Sequence, residues 1–156
     1  MERISLEEVF KIAIEIERNG QRFYRNYAEK NDDEKIKEVF NNLADMESDH
    51  ERAFIEMKNR LVTDYDRIEA DTEGLLNAYI KAFAGGYIFT SDDKIVEAGS
   101  PDDILKYAIG KEKDSISYYL AVKEFVVGED NKDKVDRIIK EEMKHIIILS
   151  DLIASY

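Results

Sequence analysis

Cysteine is absent from the sequence, and its absence excludes several kinds of chemistry at once. Disulfide bonds, thiolate catalysis, cysteine-ligated zinc and iron–sulfur clusters all need a thiol, so these 156 residues support none of them. Proline is rare too, since Pro101 is the only one, and there are seven glycines. With 44% apolar and 37% charged residues, the composition favours long solvated helices, and the length predicts one domain over residues 1–156.

Positive charges are outnumbered by negative ones, 23 to 35, and long apolar runs are scarce. The formal net charge is −12, which argues against nucleic acid as a partner, because phosphates are bound by Lys and Arg. The N-terminal stretch MERISLEEVF is charged from its second residue and lacks the apolar core of a secretory signal. The stretch IIILSDLI is too short to span a bilayer and contains Asp151. We therefore expect a cytoplasmic protein without nucleic-acid or membrane partners.

Four long stretches carry apolar residues at every third or fourth position, which is the pattern of amphipathic helices. These stretches run from about Leu6 to Glu29, from about Asp33 to Val62, from about Asp102 to Val127 and from about Lys132 to the end. Each has a core-facing row of residues, here called a seam, that advances by alternating steps of three and four and is apolar at both ends and polar at its centre. The seams run from Phe10 to Tyr27, from Phe40 to Leu61, from Leu105 to Val126 and from Val135 to Leu152. The central positions are Glu17, Gly20, Glu47, His50, Glu112, Ser115, Glu142 and His145, and all but the glycine are polar. The sequence therefore predicts a four-helix bundle with a polar layer inside its core.

The chain also repeats itself with an offset of 95 residues, which is the difference between positions 17 and 112. The pairs related by this offset are Glu17 and Glu112, Tyr24 and Tyr119, Glu47 and Glu142, and His50 and His145. The two halves of the chain therefore resemble duplicated helical hairpins.

Hairpin geometry then places the polar positions at one height. Glu17 and Glu47 are equally far from residue 32, where the first turn is expected, and Glu112 and Glu142 are equally far from residue 127. Residues equidistant from the turn of an antiparallel hairpin lie level with one another, here roughly 20 Å from the turn. Packing the two hairpins together brings four carboxylates and two imidazoles into one layer.

Four ionised carboxylates cannot share a dry core unaided, because each unpaired buried charge costs several kcal/mol. No Lys or Arg occupies the seams, whereas two divalent or trivalent cations would balance the charge. Glu at position i and His at i+3 lie on one helix face, so both can bind one metal ion. A Glu from two helices and a Glu-x-x-His from the other two is the ligand set of di-iron and di-manganese carboxylate bundles. The pattern predicts two metal ions, with iron or manganese favoured by these ligands and zinc allowed by its affinity.

Two further pairs of seam positions allow more than one interpretation. Tyr24 and Tyr119, each two turns from a Glu on its own helix, either fill the core or place a hydroxyl against a ligand carboxylate. Gly20 and Ser115 either permit close helix packing or leave room beside the metals for dioxygen or peroxide. A metal-free protein with Glu-x-x-His pairs on its surface is the remaining alternative. Both Glu-x-x-His pairs fall on core seams and are related by the same offset of 95 residues, which favours the metal site.

These residues resemble those of the rubrerythrin family, within the ferritin-like superfamily. The resemblance lies in ERNGQRFY from Glu17 to Tyr24, in EKDSISYY from Glu112 to Tyr119 and in the two Glu-x-x-His pairs, and it covers the chain except residues 63–100. It implies an all-α ferritin-like bundle that holds two iron ions and reduces hydrogen peroxide or dioxygen, or oxidises ferrous iron. The implied ligands are Glu17, Glu47, His50, Glu112, Glu142 and His145, with Glu47 and Glu142 as the bridging carboxylates.

Two departures from the family pattern bear on the reaction. Typical rubrerythrins carry a rubredoxin domain whose four cysteines hold an electron-transfer iron. This sequence has no cysteine, so we expect electrons from a separate donor protein such as a rubredoxin. Rubrerythrins also usually carry an extra Glu, three residues after the ligand that corresponds to Glu112, which moves on and off an iron with redox state. Ser115 stands at that position here, which questions the redox-linked peroxidase mechanism but not the metal site.

Residues 63–100 connect two helices that run in parallel, so this crossover must return along the length of the bundle. Within it, EGLLNAYIKAF from Glu73 to Phe83 predicts a short amphipathic helix ended by two glycines, and YIFT over 87–90 is predicted to be extended or irregular. Its aromatic side chains are expected to pack on the chain's own bundle rather than in a dimer interface; they are Tyr79, Phe83, Tyr87 and Phe89.

The leading functional hypothesis is a di-iron peroxidase or related oxidoreductase that acts on hydrogen peroxide or dioxygen. Iron handling, as a ferroxidase or storage protein, is a second hypothesis and requires a hollow cage or an encapsulating shell. An oxygenase acting on an organic substrate would need an apolar pocket beside the metals. A structural bundle with a vestigial site is the fourth. Because nothing beyond the bundle suggests cage-forming elements, we expect a monomer or a small homo-oligomer, most simply a dimer.

Overall fold

The computed structural model of the protein describes residues 4–64, 74–84 and 93–155. The described residues form six helices and contain no strand. Four helices are long: α1 (Leu6–Lys30), α2 (Glu34–Asp64), α5 (Pro101–Phe125) and α6 (Glu129–Ser155). Two short helices lie in the crossover: α3 (Leu75–Ala84) and α4 (Asp93–Ala98). The predicted all-α class is confirmed, and the four long helices agree with their predicted positions to within a few residues.

The first helix of each hairpin begins at a serine that satisfies free N–H groups of the first turn. The Ser5 hydroxyl accepts the N–H of Glu8 at 3.1 Å, and the Glu8 carboxylate accepts the N–H of Ser5 at 2.9 Å, which is a capping box. Ser100 accepts the N–H of Asp103 at 3.2 Å, with Pro101 in the first turn of α5. These caps fix where both hairpins start.

The second helix of the second hairpin starts at Glu129 rather than at the predicted Lys132. Gly128 has a φ of 95°, a left-handed conformation that glycine adopts without strain, so the chain reverses immediately before the helix. Glu129 and Asp130 then occupy the first turn, where acidic side chains interact favourably with the helix dipole. The predicted start lies three residues too far along the chain because Glu129 and Asp130 were assigned to the turn.

The long helices pack as two hairpins. Residues 31–33 join α1 to α2 and residues 126–128 join α5 to α6, and connections this short make each pair antiparallel. The hairpins meet where α1 faces α5 and α2 faces α6. The predicted seams form the core between them, and every seam position is buried except Leu152, which is half-buried. The predicted four-helix bundle of two repeated hairpins is therefore confirmed.

The crossover helices pack on this bundle. The ring of Phe83 in α3 lies 5.3 Å from that of Tyr118 in α5, and Oη of Tyr79 donates to the carbonyl of Ser117 at 3.2 Å, so both aromatic residues contact the chain's own bundle as expected. The sequence pattern does not reveal α4, which contacts α1 and α5, because six residues are too few to show a helical period. The predictions for some crossover positions concern residues that the structure does not describe; these are Glu73, Gly85, Gly86, Tyr87 and Phe89. Among the described helices, none is both long and apolar enough to cross a membrane.

Candidate metal centre

One layer of buried polar side chains crosses the middle of the bundle. All four long helices contribute to it: Glu17 from α1, Glu47 and His50 from α2, Glu112 from α5, and Glu142 and His145 from α6. Each of the six is at most 4% exposed. No Lys or Arg is among the buried residues in the described part of the chain. The structure thus brings all six predicted ligand residues together, and no buried lysine or arginine of the described ranges balances their charge.

The ligand atoms of this layer form two overlapping groups. Within each group the atoms lie within 4.8 Å of one another, which is close enough for one metal ion to be held between them. The first group, here called the His50 subsite, consists of Glu17, Glu47, His50 and Glu142. The second, the His145 subsite, consists of Glu47, Glu112, Glu142 and His145. Two carboxylates belong to both groups, so the layer could hold two adjacent metal ions.

Both imidazoles turn Nδ1 toward the carboxylates. Nδ1 of His50 lies 2.9 Å from Oε1 of Glu142 and 3.6 Å from Oε2 of Glu17. Nδ1 of His145 lies 3.0 Å from Oε1 of Glu47 and 3.0 Å from Oε2 of Glu142. The two rings are stacked, with centroids 5.8 Å apart. Nδ1 is therefore the nitrogen that each histidine could offer to a metal ion.

Two buried tyrosines connect the two repeats at the site. Oη of Tyr119 donates to Oε1 of Glu17 at 2.5 Å, and Oη of Tyr24 donates to Oε1 of Glu112. Each tyrosine thus contacts the Glu of the other hairpin, not the Glu two turns away on its own helix. Burial, followed by the charge of the partner carboxylate, raises the pKa of both tyrosines well above 10, so both hydroxyls remain donors. These hydrogen bonds favour a role at the site over simple core filling.

Burial and mutual repulsion make the metal-free carboxylates hard to ionise. Burial is the largest cause of the raised pKa of Glu17, and the charges of Glu47 and Glu142 add to it. Burial and the charge of Glu142 raise the pKa of Glu112 in the same way. Burial also opposes ionisation of Glu142, but hydrogen bonds from Glu112 and both histidines outweigh it and lower its pKa. Without metal, Glu17 and Glu112 therefore hold their protons to a higher pH than exposed glutamates do.

The histidines of the metal-free layer also carry protons. Burial alone lowers the pKa of His50, but the charge of Glu17 and hydrogen bonds to the surrounding carboxylates raise it well above 6.5. Burial likewise opposes the charged form of His145, and hydrogen bonds to the carboxylates, led by Glu112, raise its pKa above the ordinary value. The two imidazolium rings are thus the cations that balance the carboxylates, and metal ions would take over that role.

Three polar atoms of the layer form no well-aligned hydrogen bond with any of the described residues. They are Oε2 of Glu17, Oε2 of Glu142 and Nε2 of His145, and all three are buried. A buried polar atom without a partner costs about 1–3 kcal/mol. Both carboxylate oxygens belong to residues of the ligand groups, so a cation in the layer would supply the missing partner. The donor set of carboxylate oxygens and imidazole nitrogens therefore fits a pair of metal ions such as iron or manganese.

Gly20 and Ser115 follow the ligand residues of α1 and α5 by three positions. A Cβ atom at Gly20 would lie 3.5 Å from Cγ and Cδ of Glu47, so the glycine lets α1 pass close to this side chain. Ser115 is buried, and its hydroxyl donates to the carbonyl of Lys111 at 2.9 Å. The contact with Glu47 favours close packing as the reason for Gly20, rather than open space beside the site.

One residue of the site does not follow from the seam pattern. Oε2 of Glu141 lies 2.5 Å from Nε2 of His50, on the side of the ring that faces away from the carboxylate cluster. Its side chain is 34% exposed, and it stands beside the seam position Glu142 rather than on the seam. The one available signal is that it directly precedes a Glu-x-x-His pair.

Known sequences and folds are similar to this chain. The rubrerythrin family model matches residues 8–153. A crystal structure from Thermotoga maritima, described as a ferritin-like diiron-carboxylate protein, has a TM-score of 0.78 and 27% identity, covering 99% of this chain and 97% of that one. A hypothetical protein from Pyrococcus furiosus has a TM-score of 0.72 and 23% identity, covering 97% and 89% respectively. No curated protein matches the sequence. The predicted ferritin-like fold is confirmed, and the chain belongs to the rubrerythrin family.

Proposed function

We propose that this chain is a non-haem di-iron oxidoreductase that reduces hydrogen peroxide or dioxygen with electrons from a separate donor protein. The observation that carries the proposal is the pair of overlapping ligand groups that share Glu47 and Glu142. The rubrerythrin family supports iron as the metal. The description of the Thermotoga maritima relative as a ferritin-like diiron-carboxylate protein supports the same metal.

The protein supplies the ligands and the dry surroundings for this chemistry. Each of the two subsites would hold one iron ion, bound through carboxylate oxygens and the Nδ1 atom of its histidine. Two ferrous ions bound there would supply, together, the two electrons that cleave the O–O bond of a peroxide. The apolar seam residues on either side, such as Phe54 and Leu105, are fully buried and exclude bulk water from the layer.

The two tyrosines orient the outer carboxylates of the proposed site. Because Tyr119 occupies Oε1 of Glu17, the other oxygen of this carboxylate is left for a metal ion. Tyr24 holds Oε1 of Glu112 in the corresponding way. Each tyrosine keeps its proton at Oη, next to a ligand carboxylate, which fixes that carboxylate against rotation.

The reaction also requires a source of electrons. Reduction of one hydrogen peroxide to two waters consumes two electrons and two protons, so the site must receive two electrons before the next turnover. The 156 residues include no cysteine for a rubredoxin-type iron centre. A separate reductant protein, such as a rubredoxin, is therefore part of the proposal.

Anaerobic stopped-flow mixing of the reduced, iron-loaded protein tests this function. We expect hydrogen peroxide to oxidise the protein faster than dioxygen does, with one peroxide per site, and turnover to appear only when a reductant protein is supplied. A Glu47→Ala, Glu142→Ala variant is the control, because it lacks the two shared ligands and should show neither reaction. Faster oxidation by dioxygen would contradict the peroxidase proposal and favour an oxidase, ferroxidase or oxygenase.

A further inference from the structure

The two histidines of the layer have matching inner contacts but different outer ones. Nε2 of His50 lies 2.5 Å from a carboxylate oxygen of Glu141. Nε2 of His145 is buried, and no group in the described part of the chain is placed to form a hydrogen bond with it. The two subsites are otherwise closely matched. They share two carboxylates, and the outer carboxylate of each accepts a tyrosine hydroxyl.

The internal repeat explains why, among the described residues, an outer partner is found for His50 but not for His145. Glu141 directly precedes the ligand residue Glu142, and the residue that directly precedes Glu47 in the other repeat is Met46. A thioether sulfur is only a weak hydrogen-bond acceptor, whereas a carboxylate is a strong one. The difference between the two histidines therefore follows from one pair of equivalent positions, Met46 and Glu141.

An outer carboxylate has a known effect on a metal-binding histidine. When one ring nitrogen donates its hydrogen to a carboxylate, the ring orientation and tautomer are fixed and the other nitrogen becomes a better ligand. For His50 this arrangement holds Nε2 as the donor and leaves Nδ1 facing the cluster. The side chain of Glu141 is 34% exposed, so solvent still reaches its carboxylate. No carboxylate in the described part of the chain supports the ring of His145 in this way.

Building on the proposed di-iron function, we propose that Glu141 is a positioning residue that makes the His50 subsite bind metal more tightly than the His145 subsite. The two ions then bind in sequence, and the ion in the His145 subsite is the more readily exchanged. Loss of a partner of this kind typically lowers metal affinity by about 10–100-fold. The two steps of the wild-type protein should differ by a factor of this order.

Titration of the metal-free protein with Co²⁺, followed by calorimetry and visible absorption, tests the proposal. We expect two binding steps in the wild-type protein. Glu141→Met, which copies the other repeat, should lower the affinity of the first step about 10–100-fold and leave the second unchanged, so that the steps merge. Glu141→Gln keeps a neutral hydrogen-bond acceptor, so it should lower the Co²⁺ affinity of the first step by less than Glu141→Met does. Glu56→Met, which removes the same charge from an exposed position of α2, should bind Co²⁺ as the wild type does.

The outcomes separate this inference from the function on which it rests. Two indistinguishable steps in the wild type, or a first step that neither Glu141 variant weakens, would overturn the inference and leave the two-metal site standing. Equal weakening of both steps would also overturn it, because a general structural defect affects both subsites. If Glu141→Met fails to fold, as judged from its helical circular dichroism, Glu141→Gln alone decides. Wild-type protein that binds no Co²⁺ would overturn the metal site itself.

Discussion

At Gly20 the main chain of α1 passes beside a shared ligand, and this contact determines which side chains the position accepts. An alanine Cβ would lie 3.5 Å from Cγ and Cδ of Glu47, which is ordinary van der Waals contact. A leucine would extend beyond that distance and push the Glu47 carboxylate away from both subsites. We expect Gly20→Ala to bind two metal ions, and Gly20→Leu to lose at least tenfold in affinity for both, as measured by the same titration. Unchanged binding by Gly20→Leu would show that the space is open.

The candidate ligands could be predicted from the sequence because three signals coincide at them. Glu47 and His50 lie on a core seam, their spacing of three places them on one helix face, and the internal repeat reproduces both. Glu141 could not be found in this way, because it lies off the seam and acts across the interface between hairpins. The hydrogen-bond partners of Tyr24 and Tyr119 could not be predicted from the sequence for a related reason. Which carboxylate a tyrosine contacts depends on how the two hairpins are placed against each other.

At the scale of the helices, the connection between α5 and α6 depends on one glycine. Gly128 has a φ of 95°, where a Cβ atom is strained, so Gly128→Ala should destabilise the protein by about 1–2 kcal/mol. Gly110 in α5 is the matched control, because it is exposed and a Cβ atom there would meet nothing within 4 Å. Gly110→Ala should stabilise the protein by about 0.5–1 kcal/mol. Urea unfolding of the metal-free variants measures both changes, and an unaffected Gly128→Ala would show that the turn tolerates a side chain.

The helices were predictable where they are long and amphipathic, and less so at their ends. The four long helices each carry a seam of at least six residues, which fixes both their type and their buried face. The start of α6 depends on the backbone conformation of Gly128, which the apolar pattern does not report. The short helix α4 contributes the buried Val96 but is too brief to show a period. The start of α6 and the presence of α4 depend on local backbone geometry rather than on the apolar pattern of the sequence.

At the scale of the whole molecule, the protons stored in the layer link stability to pH. Glu17 and Glu112 have pKa values raised above 4.5, and both histidines have pKa values raised above 6.5, so the folded metal-free protein binds more protons than the unfolded chain at pH 5–8. The free energy of unfolding must then fall as pH rises through this range. The lowered pKa of Glu142 has the opposite effect below pH 4.5. The metal-free protein should therefore be more stable at pH 5 than at pH 8.

The thermal midpoint of the metal-free protein should fall between pH 5 and pH 8, by about 2–4 °C for each kcal/mol lost. The metal-loaded protein is the control, because bound metal requires deprotonated ligands and the stabilisation it gives grows as pH rises. The gap between the two midpoints should thus widen toward pH 8. A metal-free midpoint that rises over this range would contradict the proton storage described for the layer.

The metal content of the purified protein tests the two-metal site most directly. The six ligands predict two metal ions per chain after loading and dialysis, and a Glu47→Ala, Glu142→Ala variant should retain neither, because both subsites lose two ligands. Elemental analysis against protein concentration gives the ratio, and Glu56→Ala on the exposed face of α2 serves as the control. Two ions in the wild type and none in the double variant is the predicted result. A wild type without metal, or a double variant that still binds two ions with unchanged affinity, would contradict the account.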